Sequence, residues 1–278
     1  MDRLAMADSD RRRGENEAER GCYDESASIP DTEKRTMLKT FSLSALLLSA
    51  AISTSAQSAP ATFDSAGKVF RLDGGNATYA FGVNENGELQ QLYWGGRLAA
   101  GDAIPPARRM PEWSSFDSPY TNTAQEYAGW GSGLYSEPAI KVTFADGVRD
   151  LELHYASHTT TANGFDIELK DISREMYVTL HYSIDPESGI LARSATIANR
   201  EKQPITVEQA AAAAWALPPA EYRLNYLTGR WAGEWNLQQE EIRPGARVIE
   251  SRRGSTGHQA NPWFAIQADD GDENHGET

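Results

Sequence analysis

Residues 140–199 decide the fold; they read IKVTFADGVRDLELHYASHTTTANGFDIELKDISREMYVTLHYSIDPESGILARSATIAN. Apolar residues alternate with polar ones in successive runs, at Ile140/Val142/Phe144, Leu151/Leu153/Tyr155, Phe165/Ile167/Leu169, Met176/Val178/Leu180/Tyr182 and Leu191/Ala195/Ile197. Turn sequences such as Asp146-Gly147 and Asn163-Gly164 separate the runs. A period of two with regular turns predicts antiparallel strands that bury one face.

The same pattern extends to both sides of this stretch. Short apolar runs between residues 69 and 96 are divided by the turns Gly74-Gly75 and Asn86-Gly87, which are typical of hairpins. Downstream, Ile205 and Val207 continue the alternation, and we interpret 210–214 as a further strand of small side chains. The sequence therefore predicts an all-β fold, a large antiparallel β-sandwich (a supersandwich) over residues 60–268.

Two segments precede the predicted sandwich. Residues 1–36 are densely charged and poor in large apolar residues, which predicts disorder or a mis-assigned start. Residues 37–59 have one lysine, an apolar run of Leu and Ala, and then small residues, which is typical of a secretory signal peptide. We therefore expect translation to begin at Met37 and the protein to be secreted, with an uncleaved or tail-anchored start as the alternative.

Composition excludes several function classes. The chain has 278 residues and a formal net charge of −14, and such an acidic protein lacks the basic footprint that nucleic-acid binding needs. Its single cysteine, Cys22, cannot form an intrachain disulfide, and no His or Cys spacing indicates a metal site. We expect no cofactor, no metal and no membrane span.

An aromatic and arginine-rich stretch follows the meander, between residues 225 and 264. It holds Trp231, Trp235 and Trp263 together with five arginines. Indole and guanidinium groups suit sugar faces or a large buried interface.

The stretch also carries a family resemblance. LNYLTGRWAGEWNLQ (224–238) and SRRGSTGHQANPWFAI (251–266) resemble the end of the N-terminal domain of glycoside hydrolase family 36 α-galactosidases, the melibiases. Upstream, QEYAGWGSGLYSEPAIKVTFADGVRDLELHYASH (125–158) and SIDPESGILARSATIANR (183–200) are similar to the fungal branch of that family. The resemblance covers residues 62–276.

The resemblance implies a retaining enzyme that removes terminal α-linked galactose from galacto-oligosaccharides and galactomannans. Both catalytic carboxylates of such an enzyme come from a barrel that follows the sandwich. We therefore expect residues 269–278 to be an acidic tail that stops before the barrel, and this chain to supply no catalytic residue. Trp231, Trp235 and Trp263 are then predicted to face the barrel, and the parent enzyme is predicted to be a homo-oligomer, a tetramer.

Two further sites are predicted. In many family members the glycine-rich loop has the pattern Gly-x-Gly-Asp-x-Arg, whose Asp and Arg lie near a sugar. This chain has Leu134 and Ser136 at those two positions. Trp130 and Tyr135 are therefore the candidate substrate-binding residues. Asn76 begins the sequon Asn76-Ala77-Thr78, which predicts N-glycosylation in a secreted protein.

Three carboxylates, Glu126, Glu137 and Glu234, lie among aromatic residues and glycines, where a raised pKa is plausible. A structural or surface role is the simpler interpretation of each, so none is assigned to catalysis. Two other function classes stay open. One is a non-catalytic carbohydrate-binding or assembly module, and the other is a mutarotase-like enzyme on the same kind of sandwich.

Overall fold

The structure is a computed structural model that describes residues 59–109, 123–131, 137–272 and 275–277. These residues belong to one compact unit, Ser55–Thr278, and contain strands but no helix. The predicted residues 1–36, nearly all of the segment 37–59, and Tyr135 lie outside the described residues. The all-β antiparallel prediction is confirmed.

Two four-stranded antiparallel sheets build the sandwich. The first has the order β1-β2-β3-β4 and the second the order β6-β7-β8-β9, so each is a simple meander. The strands of the first sheet are β1 (Ala61–Asp64), β2 (Val69–Gly74), β3 (Ala77–Val83) and β4 (Leu89–Gly96). Those of the second are β6 (Leu153–Thr160), β7 (Gly164–Asp171), β8 (Met176–Ile184) and β9 (Leu191–Asn199).

Two smaller sheets complete the described chain. A two-stranded sheet pairs β5 (Ile140–Thr143) with β10 (Thr206–Ala210). A four-stranded sheet has the order β12-β11-β13-β14. Its strands are β11 (Tyr222–Arg230), β12 (Gly233–Glu241), β13 (Phe264–Asp272) and β14 (His275–Glu277).

Aromatic packing between the two large sheets forms the core. Phe81 of β3 stacks on Tyr182 of β8, with ring centroids 4.4 Å apart. Phe70 of β2 meets Phe165 of β7 edge to face at 5.1 Å. All four rings are buried, and each such side chain stabilises the fold by about 1.5–3 kcal/mol relative to an exposed one. The alternation read from the sequence therefore points the apolar residues inward as predicted.

The structure differs from the sequence interpretation in three places. Strand β10 ends at Ala210, so residues 211–214 are not the predicted strand. Residues 269–272, predicted as part of an acidic tail, extend β13 instead. Among the described residues, the main core cluster and the side chains packed against it end at Ala214, so the buried Leu224 and Tyr226 of β11 lie outside that cluster.

Gly164 is required by close strand packing. It pairs with Ser183 at the start of β7, and a Cβ added to it would lie 1.8 Å from the backbone oxygen of Tyr182. The backbone must therefore shift to accept any side chain, and we expect Gly164→Ala to lower the free energy of unfolding by about 1–3 kcal/mol. Urea denaturation measures this loss. Gly101→Ala is the control, because a Cβ there meets nothing within 4 Å; equal stability of both variants would contradict the prediction.

Candidate functional site

The segment 123–131 brings a glutamate into the sandwich. It runs alongside β4, where Gln91 N donates to Ala124 O and Glu126 N donates to Leu89 O, both at 2.8 Å. This pairing directs the Glu126 side chain between the two large sheets. Its exposed fraction is 0%.

Three side chains satisfy the Glu126 carboxylate. Tyr79 Oη of β3 donates to Oε1 at 2.6 Å, and Tyr182 Oη of β8 donates to Oε2 at 2.7 Å. Arg193 of β9 forms an ion pair with Oε2 at 2.9 Å. The four groups thus connect both large sheets through one buried polar network.

Arg193 extends this network to the surface segment after β10. Its Nη1 donates to Ala214 O at 2.8 Å, and its Nη2 donates to Glu126 O at 3.2 Å. Its guanidinium carbon lies 4.8 Å from the Tyr182 ring centroid and 5.1 Å from that of Trp215. Arg193 was not singled out from the sequence, although its position in β9 is inward-facing like those of Leu191 and Ala195.

Burial dominates the electrostatics of this network. Desolvation raises the pKa of Glu126, while the charge of Arg193 and the two tyrosine donors lower it. Burial also raises the pKa of Tyr79 and of Tyr182 well above the ordinary value, and the neighbouring Glu126 charge adds to the effect. With both oxygens engaged and no exposed surface, Glu126 cannot reach a glycosidic oxygen. Its geometry is that of a structural ion pair.

Of the other two carboxylates, Glu137 is exposed and Glu234 is half-buried. The pKa of Glu137 is lowered by its hydrogen bond from Lys141, and that of Glu234 is lowered by hydrogen bonds from backbone amides. Neither has the raised pKa that a general acid requires. Among the described residues, none of the three glutamates has the exposure and pKa of a glycosidase acid.

Trp130 lies at the end of the segment 123–131 and is half-buried. The Arg149 guanidinium sits over its ring, 3.6 Å from the centroid, and is itself ion-paired with Glu208. Trp130 O accepts from Leu151 N at 3.0 Å. Gly131 follows with a φ angle of 148°. A Cβ added to Gly131 would lie only 1.8 Å from Asp150 Oδ1. One face of the candidate sugar-stacking ring is therefore occupied by the protein itself.

Trp231 and Trp235 lie at the β11–β12 hairpin tip and are 83% and 71% exposed. The tip is conformationally unusual, since Ala232 and Trp235 have φ values of 58 and 64. Left-handed backbone at a bulky residue is strained and persists only where other contacts hold it. Here the Glu234 carboxylate accepts hydrogen bonds from Ala232 N and Gly233 N, both at 3.0 Å.

Trp263 lies apart from that tip, beside an open groove of about 850 Å³. The groove separates β11 and β13 from the segment between β12 and β13. Its apolar lining is Leu224, Ile242, Pro244, Ile249, Pro262, Trp263, Phe264 and Ile266. Trp263 is 45% exposed. The structure thus places the three predicted tryptophans on one sheet but at two locations.

The described ranges hold neither a metal-binding cluster nor a membrane-spanning helix. No group of three or more His, Cys, Asp or Glu side chains there could hold a metal ion. No helix in that part of the chain is long and apolar enough to cross a membrane. Asn76 is exposed, in the turn between β2 and β3.

These features define an all-β sandwich domain with a buried ion pair at its centre and exposed aromatic residues on an adjoining sheet. The chain belongs to the glycosyl hydrolase family 36 N-terminal domain family, whose model matches residues 87–278. It is similar to α-galactosidase AgaA of Geobacillus stearothermophilus, 28% identical over 239 residues, and to the probable α-galactosidase G of Aspergillus terreus, 26% identical over 230 residues. Each alignment covers 76% of this chain, and 32% or 31% of the relative.

The solved structures that superpose on this chain are also those of α-galactosidases. The galactosidase domain of AgaSK superposes with a TM-score of 0.69 at 25% identity, and AgaB of Geobacillus stearothermophilus with 0.68 at 26%. The aligned part is 76% and 77% of this chain, and 33% and 32% of those proteins. The chain therefore spans about a third of the length of the relatives it matches. Bacterial and fungal relatives match alike, so the predicted fungal branch stays a prediction.

Proposed function

We propose that this chain is the N-terminal domain of an α-galactosidase, an enzyme that removes terminal α-linked galactose from galacto-oligosaccharides and galactomannans. The family membership over residues 87–278 carries this proposal. AgaA, one of the relatives, has been solved in complex with raffinose and with stachyose, both of which are galactosides. The proposal is tested by hydrolysis of an α-galactoside, measured for this chain and for a form extended by the rest of a family 36 enzyme.

In this proposal the described domain packs against a barrel that follows it and stabilises the enzyme. The barrel supplies both catalytic carboxylates. The buried state of Glu126 supports this division, because no carboxylate in its network is open to substrate. Trp231 and Trp235 at the hairpin tip and Trp263 beside the groove are the residues proposed to face the barrel. Their exposed fractions of 83%, 71% and 45% suit residues that another domain covers.

An assembly role is the second candidate, and the strained hairpin tip favours it. The Glu234 hydrogen bonds fix the backbone of the turn that carries these two exposed indoles, which lowers the backbone entropy lost when a partner buries them. A homo-oligomer, a tetramer by the family resemblance, would use such a contact. Sedimentation velocity of the extended enzyme, with and without Trp231→Ala, tests this role.

Secretion and glycosylation belong to the same proposal. The signal-like segment 37–59 supports export, and the exposed position of Asn76 in a turn supports modification of the sequon. Mass spectrometry of the native protein tests both. Peptides from residues 1–36 in the mature protein would contradict the start at Met37, and an unmodified Asn76 peptide would contradict glycosylation.

Trp130→Ala tests the loop's proposed role in substrate binding. In the extended enzyme we expect a several-fold higher KM or lower kcat, because the indole beside the sugar is removed. Tm is expected to change little, since Trp130 is only half-buried. A fall in Tm with unchanged kinetics would show that Trp130 only supports Arg149. Arg149→Gln is the matched variant, which removes the cation from the ring and keeps the indole.

A further inference from the structure

Trp94 and Trp215 form a half-exposed stacked pair that no predicted site includes. Trp94 is in β4 and Trp215 is in the segment after β10. Their ring centroids are 5.9 Å apart and their planes differ by 30°. They are 37% and 42% exposed. Each indole therefore keeps part of its surface open to solvent, next to that of the other.

Contacts with other residues of the same chain support the two indoles on the side that faces the core. Trp94 meets the buried Tyr79 ring edge to face at 6.0 Å. The Arg193 guanidinium lies 5.1 Å from the Trp215 centroid and fixes the preceding backbone through Ala214 O. The rings thus rest on the same buried network that contains Glu126.

A second anchor fixes the Trp215 segment to β4. The Gln91 side chain makes two hydrogen bonds to the residue after Trp215: Ala216 N donates to Oε1 at 3.1 Å, and Nε2 donates to Ala216 O at 3.0 Å. These hydrogen bonds at Ala214 and Ala216 fix the backbone on both sides of Trp215. Such a preorganised surface loses little conformational entropy on binding a ligand.

The exposed area of the two rings is closer to that of a small rigid ligand than to that of a whole protein interface. With about 250 Å² for a whole tryptophan, the exposed parts of the two rings amount to roughly 200 Å². A stable protein interface buries about 800 Å² on each side. The pair matches one or two sugar rings.

We propose that Trp94 and Trp215 form a non-catalytic platform for the pyranose rings of galactose-bearing polysaccharides. The apolar C–H face of a pyranose stacks on indole, and two indoles at a fixed angle hold adjacent rings of one chain. The choice of polysaccharide rests on the proposed function. The platform would keep the enzyme on a polymeric substrate between hydrolytic events.

The test uses the full 278-residue chain and soluble galactomannan in affinity electrophoresis. We expect galactomannan to retard the chain, and Trp215→Leu to weaken the apparent affinity by about tenfold, because Leu keeps the apolar contact but removes the aromatic face. Trp215→Phe keeps a π face and is expected to retain most of the binding. Trp94→Leu is the second variant, with Tm confirming that each protein is folded.

Trp231→Leu is the matched control, since this exposed indole lies on the β11–β12 hairpin and not on the platform. No retardation of the unsubstituted chain, or equal retardation of the Trp215→Leu variant, would overturn the platform. Hydrolysis by the extended enzyme is measured separately, so a failed platform is distinguishable from a failed α-galactosidase assignment. Concentration-dependent self-association that Trp215→Leu abolishes would also overturn it, in favour of a contact between copies of the chain.

Discussion

The purified 278-residue chain is expected to hydrolyse a chromogenic α-galactoside about a thousand-fold or more slowly than a form extended by a catalytic barrel. Retaining hydrolysis needs two carboxyl groups about 5–5.5 Å apart, one as nucleophile and one as acid/base. Burial raises the pKa of Glu126. Both of its carboxylate oxygens are bound by the side chains of Tyr79, Tyr182 and Arg193. The pKa of Glu137 and that of Glu234 are lowered, so neither is a proton donor near neutral pH.

The assay compares the short and extended forms at equal concentration. Circular dichroism of the short form shows whether its β-structure is present, so that inactivity is not confused with misfolding. Turnover by the short form within about a thousand-fold of the extended form would overturn the division of labour between the two domains. Hydrolysis by neither form would leave the fold intact but refute the α-galactosidase proposal.

Substitution of Glu126 is expected to cause the largest loss of stability. Glu126→Leu leaves the Arg193 guanidinium, 2% exposed, without its buried counter-ion and leaves two tyrosine hydroxyls without their acceptor. Removing one partner of a buried ion pair destabilises a protein by about 3–5 kcal/mol. We expect the free energy of unfolding to fall by that amount. Urea denaturation measures it.

A double variant separates the charge effect from packing. Glu126→Leu with Arg193→Leu removes both charges, so we expect it to recover a large part of the stability lost in Glu126→Leu alone. Glu137→Gln is the control, because its pair with Lys141 is exposed and is expected to contribute little. A double variant as unstable as the sum of its two single variants would contradict a coupled pair. So would a Glu126→Leu variant with unchanged stability.

The network around Glu126 shows where the sequence pattern stops being informative. In β9 the alternation marks Leu191, Ala195 and Ile197 as inward, and the same period places Arg193 inward as well. An arginine at such a position predicts a buried acceptor, but the pattern does not say which of the 40 acidic residues supplies it. Glu126 is 67 residues away in sequence and enters from a different segment.

The predicted tryptophans illustrate the same limit. Composition alone marked the stretch 225–264 as unusual, and the structure places Trp231 and Trp235 at a strained tip but Trp263 beside a groove. No local pattern links Trp94 and Trp215, which are 121 residues apart in the sequence. Their stacking depends on Gln91 and Arg193, which tie two segments together across the sandwich.

The sequence by itself determined the all-β class, the turns and most strand positions, because alternation and turn residues act over a few neighbours. It also determined the family, through ungapped motifs. Only the tertiary structure decided that Glu126 is closed to substrate, that Arg149 covers Trp130, and that Trp94 meets Trp215. Each of these contacts joins residues from different elements, and their energies depend on burial and geometry that local sequence does not encode.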